Sequence, residues 1–250
     1  MIATLPMYLR PETRDATDGF WALIRDSLRD RGVDAPDGLD HAMSPTQAWA
    51  RSDLVLSQIC NLPHRLGFSG MVTLVAAPDL GLPDAPPGTY YSVLVAHADD
   101  PRGTLADFAG ATLAINGADS QSGWGAPAAA AAAAGIAFGR ACATGAHSAS
   151  ARAVAARRAD IAALDVASWR MIRRWDAFAR DLRVIGRTPS TPALAYVTAA
   201  GTDPAPHRAA LAEAFAATSP EMRGMLGLAG ILDPDPAGYA ALPVPAPPPA

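Results

Sequence analysis

Short apolar runs alternate with longer amphipathic segments along most of the chain. The apolar runs that predict strands are residues 2–5, 53–56, 71–76, 91–96, 111–115, 160–164, 182–185 and 194–198. Apolar positions at helical spacing or runs of alanine predict helices at residues 12–31, 151–158, 169–180, 204–217 and 220–226, and one that ends near residue 135. Because strands alternate with helices and polar residues follow several strand ends, the sequence predicts an α/β fold. In open parallel sheets of this class, ligands bind at the carboxyl ends of the strands.

The charged residues argue against several kinds of catalysis and binding. The 250 residues include 20 basic and 24 acidic side chains, for a net charge of −4, and every basic residue is arginine. Without lysine the chain has no residue for Schiff-base catalysis or for a Walker-type phosphate loop. It also has no basic block, so we expect no nucleic-acid partner.

The sequence gives no sign of a cofactor or a metal. Its two cysteines, Cys60 and Cys142, are too few for a disulfide framework or a cysteine zinc site, and we expect both to remain thiols. No G-x-G-x-x-G motif follows the first strand, which argues against a nicotinamide or flavin cofactor. We therefore predict no cofactor and no metal.

No segment predicts export or membrane insertion. Residues 1–8 lack the basic start and apolar stretch of a signal peptide, and residues 115–138 are too rich in Gly, Ala and Ser to span a bilayer. As it stands, the sequence predicts a cytoplasmic protein, or a periplasmic one if a signal has been lost. Residues 243–250 are mostly proline and alanine, and we expect them to be disordered.

Four segments in register resemble one known family. They read DLVLSQICNLP at residues 53–63, DSQSGW at residues 119–124, TGAHSASARAV at residues 144–154 and ADIAALD at residues 159–165. Together they resemble the phosphate and phosphonate substrate-binding proteins of ABC transporters. The resemblance runs from about residue 5 to about residue 228.

This resemblance implies the type II periplasmic-binding-protein fold, in which two α/β lobes are joined by two crossover strands and enclose an interlobe cleft. Mapped onto this chain, lobe one comprises residues 1–95 and 193–242. Lobe two comprises residues 96–192. The crossovers are expected at residues 92–96 and 191–196.

The loop before the alanine-rich helix is the strongest candidate for a binding site. It offers hydroxyl and backbone N–H groups at the positive end of a helix dipole, which suits a phosphate-like anion. The ligand-binding residues predicted there are Ser120, Gln121, Ser122 and Gly123. By resemblance, His147 adds a hydrogen bond to a phosphoryl oxygen. The structural alternative is that the serines only cap the helix and that His147 is a surface residue.

Further candidate ligand residues follow or flank other predicted strands. Asp165 comes after a buried strand, where it would accept a hydrogen bond from a protonated phosphate, pair with a ligand ammonium, or cap the next helix. In lobe one, Tyr8, Ser57 and Gln58 end strands where the opposite cleft wall is expected. Tyr91 flanks a crossover, and its alternative role, like that of Tyr8, is packing.

The sequence therefore predicts non-catalytic binding of a small oxyanion such as phosphate or a phosphonate. The chain would act as a substrate-binding protein in transport or as a related cytoplasmic sensor. Its expected partners are the oxyanion and the membrane component of an ABC transporter, without direct membrane insertion of this chain. The alternative is a biosynthetic enzyme on the same fold, of the menaquinone- or thiamine-precursor type, that uses His147 and Asp165.

Overall fold

Two separate five-stranded sheets organise the chain in the computed structural model, which describes all 250 residues. Each sheet is the centre of one unit. Unit 1 comprises Met1–Thr89 and Pro192–Leu242, and unit 2 comprises Tyr90–Thr191 and Pro243–Ala250. The chain therefore passes between the units after residues 89, 191 and 242. The first crossing comes before the predicted crossover at residues 92–96, because those residues form a strand inside the sheet of unit 2.

Unit 1 has a mixed sheet. In spatial order its strands are β1 (Ile2–Ala3), β2 (Leu54–Ile59), β11 (Ala195–Ala199), β3 (Val72–Asp79) and β12 (Gly230–Leu232). β1 is parallel to β2, whereas β11 is antiparallel to both β2 and β3. β1, β2 and β3 therefore run in one direction, and their carboxyl ends lie at one edge of the sheet.

Helices cover both faces of the unit 1 sheet, because residues on alternate sides of its strands are apolar. On one face, α1 (Arg14–Asp30), α7 (Pro204–Ala217) and α8 (Pro220–Leu226) enclose a core that includes Phe20 and Trp21. On the other, α2 (Pro45–Trp49) and α9 (Pro236–Ala241) contribute Trp49 and Tyr239. The short helix α3 (Asn61–Pro63) follows β2 directly.

Unit 2 has a similar plan. In spatial order its strands are β7 (Arg140–Ala143), β6 (Thr112–Ile115), β8 (Ile161–Asp165), β5 (Ser92–His97) and β9 (Leu182–Arg187). β6, β7 and β8 are parallel, and β5 is antiparallel to β8 and β9. The helices are α4 (Ala126–Ala133), α5 (His147–Ala155) and α6 (Val166–Trp175). Where the chain passes between the units, β4 (Thr89–Tyr90) pairs with β10 (Thr191–Pro192).

The structure confirms the predicted α/β class and moves some boundaries. β2 continues to Ile59, so Ser57 and Gln58 lie inside the strand rather than after it. α5 begins at His147, four residues before the predicted start, so this histidine is helical. Residues 243–250, expected to be disordered, instead make defined hydrogen bonds within unit 2. No helix has both the length and the apolar character to cross a bilayer.

Candidate functional site

The predicted site residues of unit 2 lie at the end of its sheet where the parallel strands β6 and β8 finish. β6 ends at Ile115 and β8 at Asp165, and these strands are parallel, so the polar residues after them lie at the same edge. Ser92 begins the antiparallel strand β5 and pairs with Asp165. This edge is where α/β sheets place their ligands, because the strand ends leave backbone groups and helix N-termini available.

The loop after β6 leads into a π-helical turn, Gln121–Gly125, that continues into α4. Ser120 is the N-cap of this turn, and its hydroxyl accepts a hydrogen bond from the Gly123 amide at 3.0 Å. The capping role considered for Ser120 is therefore present in the structure.

Ser122 connects this turn to α5. Its hydroxyl lies 2.8 Å from Nε2 of His147, and 3.4 Å from the hydroxyl of Ser120. Its carbonyl accepts a hydrogen bond from the Ser92 hydroxyl at 2.8 Å. The predicted residues Ser120, Ser122 and His147 are thus brought together, and Ser92 is added to them. We call these four residues the oxyanion cluster.

His147 is the first residue of α5, and its N-cap, Ala146, has no side chain that can cap the helix. The positive end of the α5 dipole is therefore uncapped next to the Ser122 hydroxyl. Burial lowers the pKa of His147 to about 4, and the nearby backbone of Ala163 offsets only part of this effect. The imidazole is consequently neutral at pH 7, and its buried Nδ1 makes no hydrogen bond of normal geometry.

Gly123 is required by a close approach. A Cβ atom at this position would lie 1.8 Å from Oδ1 of Asn116, a separation that no pair of nonbonded atoms tolerates. Oδ1 of Asn116 is itself buried without a hydrogen-bond partner. Gln121 is buried in the same turn, where its amide lies against Gly125. The turn is therefore packed tightly against the strand end below it.

Asp165 adopts the capping role. It is buried, and its Oδ1 accepts hydrogen bonds from the amides of Ala167 and Ser168 at 2.7 and 3.0 Å, at the start of α6. The carboxylate lies at the same edge of the sheet as the oxyanion cluster. The helix N-terminus stabilises negative charge on this carboxyl group.

In unit 1, the predicted residues lie around the ends of β1 and β2. The Ser57 hydroxyl is buried and hydrogen-bonded to that of Thr4 at 2.9 Å. The Gln58 side chain accepts a hydrogen bond from the Met7 amide at 3.4 Å and also bonds the phenol of Tyr196. Burial raises the pKa of Tyr196 far above its usual range, so this phenol remains protonated. The Ser57 hydroxyl is thus buried and hydrogen-bonded within unit 1, whereas the Gln58 side chain lines a cavity.

That cavity has a volume of about 30 Å³, enough for one or two water molecules. Tyr8, Gln58 and Tyr196 are among the residues that line it, together with Thr13 and Thr17 from the start of α1. None of its lining side chains is charged. The remaining prediction, Tyr91, lies in unit 2, where the guanidinium of Arg187 stacks over its ring at 5.0 Å.

Sequence reasoning missed Ser92, Asn116 and Tyr196. Ser92 and Tyr196 lie within apolar strands, where a single polar residue carries no motif. Asn116 directly follows the strand that ends at Ile115, and this position was the one available signal. Ser92 and Tyr196 become candidates only when the strand order is known.

The oxyanion cluster offers neutral hydrogen-bond donors. The Ser122–His147 distance also fits a nucleophile and its base, but Nδ1 of His147 has no carboxylate to orient it. No group of three or more His, Cys, Asp or Glu side chains is arranged to hold a metal. The arrangement is therefore suited to holding an anion by hydrogen bonds and two helix N-termini.

Comparison with known proteins identifies the family of the chain. Residues 70–239 match the sequence profile of a family described as "ABC transporter, phosphonate, periplasmic substrate-binding protein". No curated protein matches the chain.

Several solved structures share the fold. PhnD1 from Prochlorococcus marinus, in complex with methylphosphonate, is 15% identical, with a TM-score of 0.71 over 95% of this chain and 94% of its own. XAC2383 from Xanthomonas citri, bound to ATP, is 19% identical, with a TM-score of 0.69 over 96% and 94%. A binding-protein component of an ABC phosphonate transporter (PA3383) from Pseudomonas aeruginosa is 17% identical, with a TM-score of 0.68 over 96% and 82%. These likenesses confirm the predicted two-lobed fold.

Proposed function

The chain belongs to the periplasmic phosphonate substrate-binding proteins of ABC transporters, and from this premise we propose that its ligand is a small phosphonate or a related oxyanion. The observation that supports the proposal is the contact between Ser122 and His147, because it joins two helix starts at one point. Hydroxyl, imidazole and backbone N–H donors there would surround a tetrahedral group of oxygens.

We propose that the phosphonate oxygens contact the oxyanion cluster of unit 2, and that Tyr8, Gln58 and Tyr91 contribute further contacts. The partner that receives the ligand would be the membrane component of the transporter. The family description places such proteins in the periplasm, which was the alternative that the sequence left beside a cytoplasmic location.

The decisive experiment is titration calorimetry with methylphosphonate, phosphate, methanesulfonate and acetate. Each hydrogen bond to a charged oxygen contributes roughly 1.5–3 kcal/mol, so Ser122→Ala and His147→Ala should each weaken binding of the preferred oxyanion by about 10- to 150-fold. Neither variant should lower the melting temperature by more than a few degrees.

Ser219→Ala provides a matched control for the capping alternative. Ser219 caps α8 in unit 1, where its hydroxyl accepts a hydrogen bond from the Met222 amide at 3.1 Å. Its loss should cost about 1 kcal/mol of stability without changing oxyanion affinity. If Ser122→Ala behaves in the same way as Ser219→Ala, the hydroxyl of Ser122 is structural and the proposal fails.

A further inference from the structure

Residues 243–250, here called the proline segment, lie on the surface of unit 2 and are fixed at two points. The indole Nε1 of Trp124 donates a hydrogen bond to the carbonyl of Ala246 at 2.9 Å. The amide of Ala141 donates one to the carbonyl of Pro249, also at 2.9 Å. Ala141 belongs to β7, an edge strand of the sheet, so Pro249 satisfies an amide that no neighbouring strand reaches.

An apolar groove of about 470 Å³ lies between the proline segment and α4. One wall consists of alanine side chains of α4 with Trp124 and Phe138, and the other consists of prolines of the segment. Trp124 and Phe138 are themselves buried, at 6% and 7% exposure. The groove is thus lined by two aromatic side chains and by small side chains along α4.

The two hydrogen bonds to carbonyls of the segment, beside a groove lined by aromatic side chains, match the way proline-rich chains are recognised. A polyproline helix makes no internal hydrogen bonds, so its carbonyls are available to outside donors, and aromatic grooves bind its rings. Proline also has few conformations to lose, so ordering this segment costs less entropy than ordering an ordinary tail. The sequence LPVPAPPPA at residues 242–250 supplies these features.

We propose that the proline segment is a docked strap that positions Trp124, and through Trp124 the turn that carries Ser122 and Gly123. Trp124 belongs to the same π-helical turn as these two residues, Gln121–Gly125, so an anchor on its indole restrains the backbone that offers donors to the ligand. The indole N–H of Trp124 already donates its hydrogen bond to Ala246, so Trp124 does not donate it to the ligand. We therefore describe Trp124 as a positioning residue. The effect on affinity rests on the proposed oxyanion function, whereas the docking itself does not.

The docking is tested by NMR of the indole N–H groups in the full chain, in a variant that ends at Leu242, and in Trp124→Phe. The chain has five tryptophans, and the cross-peak missing from Trp124→Phe identifies Trp124. Deletion of the proline segment should shift this cross-peak alone. A synthetic LPVPAPPPA peptide, added to the shortened chain, should move it back. An unchanged Trp124 cross-peak after the deletion would overturn the proposal.

The positioning effect is tested by amide hydrogen exchange of residues 121–123 and by affinity for methylphosphonate. The deletion should accelerate exchange in the turn and weaken binding by about 2- to 30-fold, the range typical of coupling through a neighbouring contact. The peptide should restore part of both losses. A purely structural strap would lower the melting temperature but leave exchange in the turn and the affinity unchanged, and that result would refute the positioning role.

Two substitutions within the segment provide the matched comparison. Pro245 lines the groove, whereas its neighbour Val244 is 54% exposed and does not. Pro245→Ser should reproduce part of the effect of the deletion, and Val244→Ser should not; equal effects would contradict the inference. If the full chain binds no oxyanion, the proposed function fails, while the indole and exchange measurements still decide whether the segment docks and restrains the turn.

Discussion

Ser122 and His147 lie 25 residues apart in the chain, and their side chains meet at 2.8 Å. The sequence predicted both as ligand-binding residues, Ser122 because it lies in a serine-rich loop before a helix and His147 because of the family resemblance. It could not predict their contact, which depends on the order of β6, β7 and β8 and on the early start of α5. Nor could it predict that burial would keep the imidazole neutral, since a lowered pKa requires knowledge of the surroundings.

The lowered pKa of His147 predicts that oxyanion binding takes up a proton. A bound anion beside the imidazole favours its charged form, so the pKa, about 4 in the free protein, should rise in the complex. The complex then holds more protons than the free protein, and affinity should increase as the pH falls below the pKa of the complex. Calorimetry at pH 6 in two buffers with different heats of ionisation counts these protons.

The control for this proton uptake is His147→Gln, which retains a hydrogen-bonding side chain but does not titrate. Subtracting its proton uptake removes the contribution of the phosphonate's own titration. The wild type should take up more protons than the variant, by at most about one. Equal uptake would show that His147 stays neutral in the complex and donates only as a neutral imidazole.

At the scale of elements, the sequence predicted the alternation of strands and helices well. The predicted β2 was too short, because Ser57 and Gln58 are polar. The predicted α5 began too late, because the sequence TGAHSAS at residues 144–150 resembles a loop. In the structure Gln58 bonds Tyr196 across the ladder, and the backbone of the β2–β11 pair continues past these polar positions. Tertiary pairing thus overrides local polarity, which a single sequence does not report.

At the end of the unit 2 sheet opposite the oxyanion cluster, Arg102 makes contacts near the starts of β6 and β8. Its guanidinium bonds Asp100 at 2.7 Å and Asp160 at 2.8 Å, and it stacks over Phe108 at 4.2 Å. Asp160 in turn accepts a hydrogen bond from the amide of Thr112, the first residue of β6. Hydrogen bonding to Arg102 lowers the pKa of Asp100 to about 2.

We therefore expect Arg102→Gln to affect stability and not binding. The loss of charged hydrogen bonds should lower the free energy of unfolding by about 1.5–3 kcal/mol at pH 7, measured by urea denaturation. The Asp100 contribution is present above about pH 4 and is lost as the pH falls towards 2, so the difference should narrow in acid. Oxyanion affinity should stay the same, because the proposed oxyanion cluster lies at the other end of these strands.

Arg157→Gln is the matched control, since Arg157 is exposed and makes one ion pair, with Asp99 at 3.2 Å. Its loss should change stability by less than about 0.5 kcal/mol. A fall in oxyanion affinity in Arg102→Gln, at unchanged folding, would instead show that the ligand is bound away from the oxyanion cluster.

For the whole molecule, the resemblance predicted a two-lobed fold with the chain divided after about residues 95 and 192, and the structure divides it after residues 89, 191 and 242. The sequence did not foresee the third passage, after residue 242, because a proline- and alanine-rich tail has no periodic pattern that indicates what it packs against. Charge is also divided unequally. Unit 1 has 9 arginines and 16 carboxylates, for a net −7, and unit 2 has 11 arginines and 8 carboxylates, for a net +3. The oxyanion cluster thus lies in the unit with the positive charge, which favours the approach of anions.

The residues that bind the ligand can be tested by hydrogen-exchange mass spectrometry with and without methylphosphonate. Each unit has its own sheet, so a ligand should protect amides mainly around the residues that hold it. We expect protection to increase around residues 121–125 and 147–150, which include Ser122 and His147, and around residues 5–9 and 57–60, which include Tyr8 and Gln58. Acetate, at the same concentration, is the control for nonspecific anion effects. Unchanged exchange at residues 121–125 and 147–150 would show that the oxyanion cluster does not hold the ligand, and unchanged exchange at residues 5–9 and 57–60 would show that the roles proposed for Tyr8 and Gln58 are wrong.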